Sequence, residues 1–83
     1  MTEADIYAQL TELFREIFSD DDIVLTPATT AADIDGWDSF NHISIIVAVE
    51  TKFGIKMETR EIEGLNNIGT LVAVIGRKKG LLF

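Results

Sequence analysis

Cysteine is absent from these 83 residues. Its absence excludes a disulfide framework, a thiolate metal site and a cysteine nucleophile. Cationic side chains are scarce, 7 against 14 acidic ones, for a net charge of −7. Arg77, Lys78 and Lys79 hold three of them, so residues 1–76 carry 14 acidic and 4 basic side chains, or −10. A surface that acidic repels nucleic acid and anionic lipid, and it steers partners with basic patches toward encounter. The plainer reading, that the charge only keeps a small protein soluble, stands beside it. No apolar run approaches the roughly 20 residues of a membrane-spanning helix, and the N-terminus lacks the basic-then-apolar pattern of a signal peptide. A cytoplasmic monomer without membrane insertion is expected. Repeats, low-complexity tracts, a Gly-rich phosphate loop and a His/Glu zinc pattern are all missing. The length predicts one domain, residues 1–83, with a core too modest for a deep enclosed active site.

What is present is helical periodicity. Thr2 and Asp5 resemble a capping box, and Ile6, Leu10, Leu13, Phe14 and Ile17 follow at helical spacing, which predicts a helix over 3–18. Asp20, Asp21 and Asp22 then sit badly against the negative end of its dipole and should end it. Residues 19–38 form a long connection, with Ile23, Val24 and Leu25 expected in the core and Pro27 holding the preceding chain extended. A helical turn is expected over 31–34, and Ile34 and Trp37 should anchor the loop. A second helix is predicted over 39–53, about 22 Å long. Ser39 is placed as its N-cap, Gly54 as its stop, and Phe40, Ile43, Ile46, Val47, Glu50 and Phe53 as one face. Ile55, Lys56 and Met57 run extended. Thr59 should cap a short third helix through Glu63, and Asn67 a fourth, which frays from Gly76 because glycine costs about 1 kcal/mol relative to Ala. The fold class is therefore all-α: a small four-helix bundle with a long loop between helices one and two and a short third helix. Its core should include Leu10, Phe14, Ile17, Ile43, Ile46, Phe53, Ile62, Ile68, Leu71 and Ile75.

Asp38, Ser39 and His42 supply the residue types of a hydrolytic triad, but all three crowd one helical turn, without the oxyanion hole and cleft that such a triad serves. His42 reads as a solvated surface histidine. Asp33, Asp35 and Asp38 fail the calcium-loop template, because Trp37 and Asp38 stand where a ligand and a glycine are required. No catalytic residue and no metal site are expected. The remaining candidate is Ser39: an exposed hydroxyl at the mouth of a helix can hold a phosphate ester, since that end favours negative charge. On periodicity alone, Ser39 as a plain cap is the stronger reading.

Gly36-Trp37-Asp38-Ser39-Phe40, followed by an aliphatic helix closing in Glu50-Thr51-Lys52-Phe53-Gly54-Ile55, resembles the acyl carrier protein family, whose motif is Asp-Ser-Leu. The resemblance runs over residues 3–76 and is densest from Asp33 to Met57. It implies that a phosphopantetheinyl transferase, using coenzyme A and magnesium, attaches 4′-phosphopantetheine to Ser39, with Asp38 helping to present it. The arm's thiol would then carry acyl groups as thioesters between acyl-loading, condensing or acyltransferase enzymes with basic patches. Fatty acid, polyketide or related specialised pathways are implied. A partner surface is expected at Phe40, Ser44, Val47 and Glu50, with Glu58 and Glu61 beside it. Phe40 departs from the family leucine, as in some D-alanyl carriers, so an aminoacyl or D-alanyl cargo is the alternative. Outside the carriers, the alternative is a helical interaction module in which Ser39 only caps.

Overall fold

Thr2 opens the first helix as a reciprocal cap. Its hydroxyl accepts the Asp5 N–H at 3.2 Å, and the Asp5 carboxylate accepts the Thr2 N–H at 2.8 Å, which holds that carboxyl below its ordinary pKa. In the computed structural model, which describes residues 1–81, the elements are α1 (Glu3–Phe18), a 3-10 turn (Ala31–Asp33), α2 (Ser39–Phe53), α3 (Thr59–Glu63) and α4 (Ile68–Lys78). No strand occurs among the described residues, and no described helix is long and apolar enough to cross a membrane. The expected all-α bundle of three longer helices and one short one is what the chain forms.

α1 turns Ile6, Leu10, Leu13 and Phe14 inward and packs against both α2 and α4. It is Ser19 in the left-handed region (φ 51°), and not the three aspartates, that ends α1, its N–H bonding the carbonyls of Arg15 and Glu16. α4 buries Ile68, Leu71, Val72, Val74 and Ile75. Ile17 and Ile62, expected in the core, are only partly buried against it.

The buried face of α2 differs from the expected one. Ile45, Ile46, Val49 and Phe53 point inward, whereas Phe40, Ile43 and Val47 are 79%, 60% and 56% exposed. α2 is apolar on nearly every side, so its periodicity does not select a face. Three smaller expectations are corrected as well. Val24 is exposed while its neighbours Ile23 and Leu25 are buried, as alternation in an extended segment requires. Glu58, not Thr59, stands at the N-cap of α3, its N–H donating to the Glu61 carboxylate at 2.8 Å and its carbonyl accepting the Glu61 N–H at 2.9 Å. α4 continues through a buried Gly76 to Lys78.

That last extension has visible supports. Arg77 and Lys78 reach the two oxygens of Glu61 at 2.8 and 3.0 Å, and Lys79 donates to the Phe53 carbonyl at the end of α2 at 3.1 Å. The ion pairs tie α3 to α4. Glu61 is 9% exposed at its side chain and its pKa falls to about 2, because the Glu58 N–H, Lys78 and Arg77 all bond the charged form.

Candidate functional site

The loop before α2 is fastened at three points. Ile23, Leu25 and Ile34 enter the core, and Arg15 Nε donates to the Ile23 carbonyl at 3.0 Å. The second fastening is to α4, whose first N–H groups have no partners within their own helix. Ile68 donates to the Thr29 carbonyl at 2.8 Å and Gly69 to the Pro27 carbonyl at 3.0 Å. Glycine at 69 eases that approach: a Cβ would stand 3.0 Å from the Pro27 oxygen, and the loop would have to give by a few tenths of an ångström. The third is Trp37, whose indole meets Phe14 edge-on at 5.3 Å and lies 6.5 Å from the Phe18 ring. Gly36, at φ 88°, makes the turn that sends Trp37 inward and the next residues out.

Asp38 is the N-cap of α2, one residue earlier than expected, and Ser39 is the first helical residue. The Asp38 carboxylate accepts the Asn41 N–H at 2.9 Å, and its carbonyl accepts the His42 N–H at 2.8 Å. Asn41 also reaches back, Nδ2 donating to the Gly36 carbonyl at 2.6 Å, so turn and helix start are bonded in both directions. Ser39 is exposed, and among the described residues no hydrogen bond engages its hydroxyl or the N–H groups of Ser39 and Phe40. A free hydroxyl can be esterified, and the two free N–H groups beside it at the positive end of α2 are donors for the phosphodiester that results.

The other expected roles sort as follows. Asp38, Ser39 and His42 share a turn but do not form a relay, because Asn41 takes Asp38 and the Trp37 indole donates to His42 Nδ1 at 3.1 Å. His42 is thus not a solvated surface side chain: it is half-buried beneath Trp37, the rings 6.0 Å apart and inclined by 22°. Asp33 accepts from the Thr30 N–H at 2.9 Å, so it and Asp38 each serve a backbone donor. Of the expected partner surface, Phe40 and Val47 are exposed, and Ser44 is half-buried with its hydroxyl back-bonded to the Phe40 carbonyl at 3.4 Å. Glu50 accepts the Met57 N–H at 2.8 Å, Glu58 pairs with Arg60 at 3.0 Å, and Glu61 is held by α4. Sequence reading missed Asn41 and His42 as positioning residues. Neither shows as periodicity, since both act across the turn.

Comparison with known proteins gives this geometry its context. The phosphopantetheine attachment site family matches residues 8–75. The meromycolate extension acyl carrier protein of Mycolicibacterium smegmatis is 31% identical over 74 residues, covering 89% of this chain and 75% of that protein. The protein of the same description from Mycobacterium tuberculosis is 29% identical over 75 residues, and the chain spans 65% of its length. A solution structure of the holo acyl carrier protein from Geobacter metallireducens superposes with a TM-score of 0.84 at 42% identity, covering 89% of this chain and 85% of that one.

Proposed function

This chain belongs to the phosphopantetheine-attachment family, the acyl carrier proteins, and on that premise we propose that Ser39 is the residue esterified. The protein is a carrier and not an enzyme, and its cofactor is covalently attached 4′-phosphopantetheine. When bound, that group supplies a thiol on which acyl groups travel as thioesters.

The chain's own residues do the presenting. Asp38 fixes the first turn of α2 through Asn41, and Gly36 and Trp37 hold the loop, so the Ser39 hydroxyl stands clear for a transferase to reach. The free N–H groups of α2 then favour the phosphodiester by about 0.3–1 kcal/mol. That exposed, unengaged serine at a fastened helix mouth is the observation that carries the reading. A phosphopantetheinyl transferase supplies the group from coenzyme A. Phe40 and Val47 offer the apolar contact to the enzymes that load and unload the thioester, with Glu50 and Glu58 at the edge of that face. Glu61, spent on Arg77 and Lys78, contributes least. The acyl groups go to fatty acid, polyketide or related specialised enzymes, in the cytoplasm, with residues 1–83 acting as one carrier domain.

Incubation with coenzyme A, magnesium and a broad-specificity transferase should raise the intact mass by one phosphopantetheinyl group. Peptide mapping should place it on Ser39, and Ser39→Ala should fold but gain nothing. An unmodified wild-type protein under several such transferases refutes the assignment.

A further inference from the structure

Ser39 does not stand on a bare convex end. It forms part of the wall of an open recess of about 500 Å³, completed by Ala31, Trp37, Asp38, His42 and Ile43. The 3-10 turn supplies one side and the first two turns of α2 the other. Ile43 is 60% exposed here. An isoleucine left wet beside an indole is apolar area available to a ligand.

The polar wall is equally specific. The indole N–H of Trp37 donates to His42 Nδ1 at 3.1 Å. A neutral histidine accepting at Nδ1 carries its proton on Nε2, and that N–H has no partner among the described residues. The lining thus combines the aliphatic Ala31 and Ile43, the rings of Trp37 and His42, and a histidine N–H with no partner among the described residues. Phosphopantetheine offers complementary chemistry: a geminal dimethyl group followed by two amides.

We propose that the recess seats the phosphopantetheine arm of the same molecule, its dimethyl group against Ile43 and Ala31 and an amide carbonyl accepting from His42 Nε2–H. The inference rests on the assignment of Ser39, since attachment there makes the wall of the recess and the tether one residue. A tethered group experiences an effective concentration in the millimolar range, so contacts too weak to hold free pantetheine still hold the arm for part of the time. Weak docking also suits a carrier, because the arm must leave the recess to reach each enzyme.

The test uses isotope-labelled protein loaded with an unlabelled arm from coenzyme A, with loading verified by mass. Isotope-filtered spectra should show contacts from the arm's methyl protons to the side chains of Ala31, Trp37 and Ile43, and the single indole N–H signal should shift between apo and holo protein. Ile43→Ser, a change at an exposed position that leaves the Trp37–His42 bond in place, should load and lose most of that shift. Contacts confined to α3, or an indole signal unmoved by loading, overturn the docking and leave the carrier intact. A protein that gains no mass removes both readings.

Discussion

The register of α2 can be tested by a pair of substitutions two residues apart. Ile45 is 1% exposed and Ile43 60% exposed. Truncating a buried isoleucine to alanine removes its transfer free energy and leaves a cavity, typically about 2–5 kcal/mol. A domain of 83 residues holds roughly 4–12 kcal/mol in all, at about 0.05–0.15 kcal/mol per residue. Ile45→Ala should therefore remove a substantial part of the stability and lower the melting midpoint by at least about 8 °C, at roughly 4–8 °C per kcal/mol for this size. Ile43→Ala leaves no cavity and should stay within about 0.5 kcal/mol of the parent. Thermal and urea melts followed by circular dichroism at 222 nm measure both, and similar urea slopes would show that the variants unfold from equally compact states. Equal losses, or a larger loss at Ile43, would refute the orientation of α2 and with it the recess beside Ser39.

Asp38→Ala removes the cap that accepts the Asn41 N–H and should cost about 0.5–2 kcal/mol, read as a lower urea midpoint. Gly69→Ala adds a methyl 3.0 Å from the Pro27 carbonyl oxygen. The overpacking, about 1–3 kcal/mol, should outweigh the gain of about 1 kcal/mol in helix propensity and lower the melting midpoint. Glu61 has its pKa depressed from 4.5 to about 2, so its contribution is fully present above the unfolded value and fades as the pH falls through that interval. Urea midpoints of the parent and Glu61→Gln should accordingly be separated at pH 6 and converge toward pH 2; a constant separation would contradict the ion-pair origin.

Much of this was legible in the order of residues. The stripes of α1 and α4 repeat at helical spacing, so their Thr2 and Asn67 caps and most of their inward faces could be read directly, Ile17 and Val74 excepted. α2 resisted because Ile43, Ile45, Ile46, Val47 and Val49 offer two competing apolar faces. The discriminating constraint lay in the chain nonetheless. If Ser39 must be wet, residues four and eight further on share its side, which places Ile43 and Val47 outside. The cap was misplaced by one residue because Asp and Ser are about equally good at that position. Asp38 takes the cap because its backbone is extended and its carboxylate accepts the Asn41 N–H, while Asn41 also bonds back to Gly36, a contact with no helical period. His42 was unreadable for the same reason: its partner Trp37 lies before the helix begins.

The two bonds from α4 to Thr29 and Pro27 give the loop a natural reporter. The amides of Ile68 and Gly69 are shielded by a segment nearly half the chain away, and lifting that segment leaves both donors bare. Their hydrogen exchange therefore measures opening of the loop that leads to Ser39, separately from unfolding of the bundle, which the amides of Leu10 and Val49 would follow. It also sets an order on folding. The first turn of the last helix is completed only when the long loop has closed onto it, a non-local step that should come late.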